Sequence, residues 1–175
     1  MKLKQILISL LYVITMLVLT VSCNYIEEPD ISIEVQVSEL SEEEFEHVGT
    51  YGLDNPSIND FRKFTFNLEM NHSYEITRKI EFPSFWTDIW KKSIDSIDDK
   101  DRYWFGKGHS QVNESEQFTK YYREFVFYSN GLSEEEIKAA FNSINFTISW
   151  ETKEGFMMRN DYIAGDLIEF VGLLL

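Results

Sequence analysis

Residues 144–150, which read INFTISW, alternate apolar and polar side chains without interruption. Successive side chains of a β-strand point to opposite faces of the sheet, so Ile144, Phe146, Ile148 and Trp150 share one face. This pattern predicts a strand that is buried on one side. The sequence KEG at 153–155 then predicts a turn that leads into another strand near 156–163.

The chain before this strand predicts a second strand followed by a short helix. The sequence SEEE at 133–136 is a capping box and predicts a helix that ends at Phe141. Phe118–Tyr128 has aromatic residues on both faces, which indicates a strand covered on both sides or an edge of an interface. The order strand, short helical corner, strand, tight hairpin and strand resembles the last part of an immunoglobulin-like sandwich.

Further strands are predicted where apolar and polar residues alternate, and helices where apolar residues recur at three- and four-residue steps. A turn at Asn71-His72 is expected to return the chain into a third strand. The predicted strands cover 31–37, 64–70, 74–82, a short stretch from Tyr103, and the apolar end at 170–175; the predicted helical segments lie within 40–47 and 84–101.

The fold that these elements predict is mostly β. We expect a single β-rich domain over residues 31–175, an immunoglobulin-like antiparallel β-sandwich with one or two short helices. An α+β fold with a single antiparallel sheet is the alternative.

The chain is acidic and rich in aromatic residues. Residues 1–22 carry two lysines and no acidic residue, so the remainder has 14 basic and 30 acidic residues and a net charge of −16. This charge repels phosphate backbones and anionic headgroups, which argues against nucleic-acid binding and against electrostatic attachment to a membrane. The 14 Phe, 9 Tyr and 4 Trp supply enough apolar surface to exclude a disordered body.

The N-terminus carries two lysines, Lys2 and Lys4, then an apolar run from Ile6 to Val21, and then Cys23 as the only cysteine. The run is shorter than the roughly 20 residues that a membrane-spanning helix needs. This segment resembles a bacterial lipoprotein signal peptide that ends in a lipobox, although Thr20 stands where that family usually has Leu.

The resemblance implies that residues 1–22 are a signal peptide and that Cys23 becomes lipidated, with fatty acids of the palmitate type. Residues 23–30 would then be a short tether, and the protein would be anchored in the cell membrane on its extracytoplasmic face. Fully extended, residues 24–30 reach roughly 24 Å, which would keep the domain close to the bilayer.

Two groups of residues are candidates for binding. Exposed aromatic rings could grip an envelope protein or stack on a glycan, although the same rings could instead close one end of the core. These aromatic residues are Phe85, Trp86, Trp90, Tyr103, Trp104 and Phe105. The second group could offer oxygen ligands to Ca²⁺ but lacks the order of an EF-hand loop, so a solvated acidic loop is the alternative. Its members are Asp95, Asp98, Asp99 and Asp101.

No catalytic motif is recognisable. The three histidines, His47, His72 and His109, lack a second ligand at metal-binding spacing, and Ser110 is not part of a Gly-x-Ser-x-Gly elbow. The sequence GKG at 106–108 lacks the spacing of a phosphate-binding loop. We therefore expect a non-enzymatic binding or accessory module at the cell envelope, without a cofactor. The alternatives are a ligand- or cation-capturing lipoprotein and, third, an envelope hydrolase.

Overall fold

The computed structural model describes residues 27–82, 86–112 and 116–172, with only the backbone described at Trp86 and Thr87. These residues form eight strands and three α-helices. The strands are β1 (Asp30–Ser38), β2 (Phe61–Asn71), β3 (Ile76–Glu81), β4 (Tyr103–Val112), β5 (Phe118–Tyr128), β6 (Asn145–Thr152), β7 (Met157–Ile163) and β8 (Ile168–Val171). The helices are α1 (Glu42–Glu46), α2 (Trp86–Asp95) and α3 (Glu134–Phe141), and short 3₁₀ turns cover 58–60 and 165–167.

The strands form two sheets. One has five strands in the order β4-β5-β2-β1-β8, and the other has three in the order β3-β6-β7. Neighbouring strands are antiparallel except β1 and β8, which run parallel. The predicted fold class, a mostly β antiparallel sandwich with short helices, is confirmed, with three α-helices in the described residues instead of one or two. The single-sheet alternative is not what the structure shows.

The sequence predicts that the chain returns into a third strand after the turn at 71–72. That strand, β3, forms, but it does not pair with β2. It pairs with β6 in the second sheet. The reason is that β2 is already hydrogen-bonded along one edge to β1 and along the other to β5, so it has no edge left for β3. By crossing over, β3 packs Ile76 and Ile80 against the core between the sheets.

The core lies between the five-stranded sheet and a second layer made of the smaller sheet and two helices. Phe66 of β2 meets Phe146 of β6 edge to face, with ring centroids 5.5 Å apart. Further along β2, the ring centroid of Phe64 lies 5.1 Å from that of Trp90 in α2 and 4.7 Å from that of Phe141 in α3. The smaller sheet therefore covers one half of the large sheet, and α2 and α3 cover the other half.

A second, smaller apolar cluster lies on the outer face of the five-stranded sheet. The segment 39–60, which includes α1, folds over this face and buries Phe61 and Val126. Val126 faces this cluster, whereas its neighbours Phe125 and Phe127 face the main core. The prediction that β5 is covered on both sides is therefore confirmed for this part of the strand.

Arg102 ties together three elements at one end of the sandwich. Its side chain is 4% exposed, and its guanidinium donates two hydrogen bonds of 2.8 Å to the Asp98 carboxylate. It also donates to the carbonyls of Tyr128, at 2.8 Å, and Asn130, at 3.2 Å. Asp95 at the end of α2 accepts from the main-chain N–H groups of Arg102 and Tyr103. Arg102 thus joins the turn after α2 to the start of β4 and the end of β5.

Replacing Arg102 should destabilise the fold strongly. Arg102→Leu leaves the carbonyls of Tyr128 and Asn130 without their donor, and we expect the free energy of unfolding to fall by about 3 kcal/mol. Urea denaturation followed by tryptophan fluorescence measures this change. Arg62→Leu is the matched control, because within the described chain Arg62 donates to the nearby carbonyls of Asn59 and Phe61. Equal losses for the two variants would contradict a special role of Arg102.

The same contact predicts how stability depends on pH. Hydrogen bonds from Arg102, and next from Lys100, hold the pKa of the Asp98 carboxyl well below its usual value of 3.8. Its charged form therefore stabilises the fold above that pH, and this contribution is lost as the pH falls below it. We expect Asp98→Asn to lower the melting temperature at pH 7 and the difference from the parent protein to shrink below about pH 4. Asp101→Asn, on a side chain that is 99% exposed, should change little at either pH. A difference for Asp98→Asn that stays constant down to pH 2.5 would contradict this account.

Candidate functional site

The six aromatic residues singled out in the sequence do not form one exposed surface. Trp90 is fully buried in the main core, so it cannot contact a partner. Tyr103 packs on Phe125, with ring centroids 5.2 Å apart. Phe85 and the side chain of Trp86 lie outside the described residues.

Trp104 and Phe105, the next two aromatic residues on β4, point in different directions. Trp104 packs edge to face on Phe61 at 5.6 Å, and its indole N–H donates to the carbonyl of Gly49 at 2.6 Å. Phe105, at 44% exposed, is the most exposed of the predicted aromatic residues whose side chains the structure describes. A register irregularity between Tyr103 and Phe105 separates the rings, because a bulge changes the directions in which side chains leave the strand. Full burial therefore excludes Trp90 from a partner-binding surface, whereas Tyr103 and Trp104 are partly exposed and Phe105 is exposed, so partner binding by these three stays a prediction.

The acidic residues after α2 have other partners than a cation. Asp95 and Asp98 bind the main chain and side chain of Arg102 as described above, and Lys91 and Lys100 pair with them at 3.0 and 2.7 Å. Asp99 is an exposed turn residue with a φ of 55°, and Asp101 points into solvent. In the described part of the chain, no three His, Cys, Asp or Glu side chains are grouped so that they could hold a metal ion.

His109 and Ser110 lie on opposite faces of β4. His109 packs on Tyr122, with ring centroids 5.2 Å apart, whereas Ser110 pairs with Tyr121, which points the other way. The two side chains therefore cannot act as a base and its nucleophile. The glycines beside them have a packing role, because a Cβ on Gly106 would lie 2.5 Å from the carbonyl oxygen of Glu124.

An open groove of about 620 Å³ runs beside β3, between this strand and the neighbouring ends of β4 and β5. We call it the β3 groove. Its volume lies within the range of small-molecule sites, which is roughly 300–1,000 Å³. It is lined by His72, Tyr74, Ile76, Thr77, Arg78, Lys79, Ile80, Val112, Glu116, Gln117, Thr119 and Tyr121.

The groove combines an apolar floor with cationic groups. Ile76, Ile80 and Tyr121 contribute apolar surface, and burial raises the pKa of the Tyr121 phenol, which therefore stays neutral and able to donate a hydrogen bond. Arg78 and Lys79 bring two positive charges to the same strand of an otherwise acidic protein. The Lys79 side chain is 70% exposed and pairs with Glu81 at 2.8 Å. An occupant with a negative charge and an extended apolar part would match this lining.

Arg78 also builds one wall of the groove. Its guanidinium donates to the carbonyl oxygens of Glu116 and Phe118, the latter at 3.1 Å, and to Nε2 of His72. Because arginine can only donate, Nε2 of His72 accepts, and its Nδ1–H donates to the carbonyl of Ser73 at 2.7 Å. These contacts hold the start of β5 beside β3.

The β3 groove lies at the end of the sandwich where the chain enters from its N-terminal segment. Asp30, the first residue of β1, pairs with Asn71, and Asn71 in turn pairs with Phe118 at the start of β5. A shallow pocket of about 530 Å³, lined in part by Pro29 and Tyr162, lies near the same point of entry. Cys23 lies outside the described residues, and none of the helices in the described chain is long and apolar enough to cross a membrane.

Sequence reasoning did not find this groove. Its described lining comes from residues 72–80, Val112 and residues 116–121, which are brought together only because β3 crosses to the second sheet. No spacing within the sequence links His72 to Glu116 or Tyr121.

The chain matches no protein-family model, and no curated protein resembles it in sequence.

Proposed function

We propose that this protein is a lipid-anchored, extracytoplasmic binding module that holds an extended acidic segment of an envelope protein in the β3 groove. It is not an enzyme in this proposal. Cys23 carries the lipid, residues 23–30 form the tether, and β3 with its groove carries the contact. The single observation that supports it best is a groove in which Arg78 lies on the same face of β3 as the apolar Ile76 and Ile80 while Lys79 lies on the other face, in a chain of net charge −14.

The chemistry of the groove favours a protein segment as the occupant. An extended peptide places side chains alternately to its two sides, so an apolar row can lie on the side of Ile76 and Ile80 while an acidic row lies on the side of Lys79. Charge complementarity of this kind gives selectivity and speeds association more than it adds affinity. A glycan is the alternative occupant, since Tyr74, 72% exposed, offers a ring on which a sugar could stack.

The position of the groove agrees with a role near the membrane. The described chain begins at residue 27, four residues after Cys23, and β1 starts at Asp30 beside the groove end of the sandwich. With a tether of at most roughly 24 Å, this end would stay close to the bilayer. Segments of membrane and envelope proteins that emerge from the bilayer would be within reach.

The second candidate is a lipoprotein that captures a small anionic ligand in the same groove. It draws support from the groove's volume of about 620 Å³, which a small molecule could fill. We do not extend the proposal to cation capture, because Asp95 and Asp98 are already paired with Arg102, Lys91 and Lys100.

The lipid anchor is tested with the full chain and Cys23→Ser in cells fed an alkyne-bearing fatty acid. We expect the parent chain to take up the label and to sediment with membranes, and the variant to take up none, because the thioether needs the cysteine sulfur. Fluorescence of the clicked label on a denaturing gel measures incorporation. Equal labelling of both chains, or no labelling of the parent, would refute the anchor.

The groove is tested with a photo-crosslinking amino acid placed at Tyr74, which lines it, or at Tyr51, a fully exposed control on a loop distant from the groove. We expect a discrete protein adduct at Tyr74 only. Lys79→Glu should reduce its yield about threefold, as expected for one exposed charge at a binding site. Lys107→Glu is the matched control, because Lys107 is 73% exposed and also pairs with a glutamate but lies outside the groove.

Direct binding tests whether the groove prefers an acidic segment. A fluorescent peptide of alternating Val and Glu should bind the parent protein, and one of alternating Val and Lys should not. Equal binding of the two peptides, or adducts of equal yield at Tyr51 and Tyr74, would refute the proposal. A protease-resistant adduct at Tyr74 would favour a glycan instead.

A further inference from the structure

The last strand of the smaller sheet, β7, has an open edge and an exposed apolar surface. All of its residues except Tyr162 are exposed, including Met157 at 71% and Met158 and Ile163 at 39% each. An edge strand of this kind is a template for pairing with another strand, and proteins usually protect it.

The other end strands carry such protection, and β7 does not. Strand β8 has only four residues, β4 contains the irregularity between Tyr103 and Phe105, and β3 presents the adjacent cations Arg78 and Lys79. Strand β7 pairs with β6 over seven residues without a bulge and contains no proline. Its two charged residues, Arg159 and Asp161, have opposite signs and pair with each other at 2.9 Å within the strand.

We propose that β7 pairs antiparallel with β7 of a second copy of this chain, so that two three-stranded sheets join into one of six strands. The two-fold axis passes through Asn160, which faces Asn160 of the other copy. Arg159 then faces Asp161 on both sides of the axis, and Met157 faces Ile163. The sequence of the strand is complementary to itself about this point: apolar ends meet apolar ends and cation meets anion.

The main-chain hydrogen bonds of β7 agree with this register. The N–H of Thr152 donates to the carbonyl of Phe156 at 2.9 Å, so the 152–156 pair is hydrogen-bonded within the sheet. Hydrogen-bonded pairs alternate along antiparallel strands, so 158, 160 and 162 also bond to β6, and 157, 159, 161 and 163 point their main-chain groups outward. The proposed register pairs each of these outward-pointing residues with another one, 157 with 163 and 159 with 161.

Neighbouring registers are disfavoured by charge. Moving the axis by one residue puts Arg159 opposite Arg159 of the second copy, or Asp161 opposite Asp161. Like charges directly opposite each other on paired strands are destabilising, so Arg159 and Asp161 select the register centred on Asn160.

The geometry is compatible with two anchored copies. The two-fold axis of antiparallel edge pairing is perpendicular to the joined sheet. Both five-stranded sheets therefore lie on the same side of the joined sheet. Strand β1, which follows the N-terminal segment, belongs to the five-stranded sheet in each copy. Both N-termini can therefore approach one bilayer. The pairing itself does not require the lipid, although confinement to a membrane would raise the local concentration of the partners.

The pairing is tested by disulfide formation in intact cells that express the full chain. In Asn160→Cys the two Cα atoms would lie about 4.5 Å apart, which a disulfide can bridge. In Met158→Cys the two introduced residues would be offset by four positions, about 13 Å, and should not link. A non-reducing gel after mild oxidation should show a dimer for Asn160→Cys only. The parent chain reports any background from Cys23.

Charge reversal then tests the register. Adding Arg159→Asp to Asn160→Cys places acidic residues opposite each other and should lower the dimer yield about tenfold. Adding Asp161→Arg as well restores opposite charges in the same register and should restore the yield. Three outcomes would each overturn the proposal. Asn160→Cys could give no dimer, Met158→Cys could give as much dimer as Asn160→Cys, or the dimer yield could stay the same after the charge reversal.

A second measurement, which needs no introduced cysteine, tests the pairing even if Asn160→Cys folds poorly. Light scattering of the full chain in detergent should give a dimer for the parent and for the doubly reversed protein, and a monomer for Arg159→Asp. Monomers throughout would overturn the proposal.

Discussion

Strand β2 is hydrogen-bonded along both edges, and much of the molecule follows from this constraint. Because β1 and β5 occupy those edges, the chain cannot continue as a simple meander after Asn71 and crosses to start a second sheet. The crossing creates the interior in which Phe66 meets Phe146, and it leaves β3 and β7 as the ends of the smaller sheet. The β3 groove and the open edge of β7 are both consequences of it.

The interior is stabilised by rings and by one buried guanidinium, without help from a disulfide. Phe64 lies at the centre of a group of stacked and tilted rings that joins the large sheet to α2 and α3. Where the ring packing ends, Arg102 satisfies carbonyl groups at the end of β5 and fixes the turn after α2. The acidic residues nearby serve this contact, which explains why an acidic cluster need not indicate a metal site.

The two proposed contacts use opposite edges of the same small sheet. Strand β3 presents Arg78 and Lys79 beside an apolar floor and is suited to an acidic partner of a different sequence. Strand β7 presents a cation and an anion placed symmetrically about Asn160 and is suited to a copy of itself. A dimer formed through β7 would have two β3 grooves, one at each outer edge of the joined sheet. This arrangement would favour binding of a partner that carries two acidic segments.

The sequence alone determined the elements, because their signals are local. Alternation at 31–37, 64–70 and 144–150 marks strands with one buried face, and the box of Ser133 and Glu136 fixes the start of α3, where the Ser133 N–H donates to Glu136 at 2.8 Å. The mostly β sandwich follows from these elements. Only the tertiary structure decided which strands pair, which aromatic rings are buried and where a groove opens, since these depend on contacts between residues far apart in the chain. Arg78 reaches carbonyls about 40 residues away, and Trp90 is buried only because the five-stranded sheet lies beneath it.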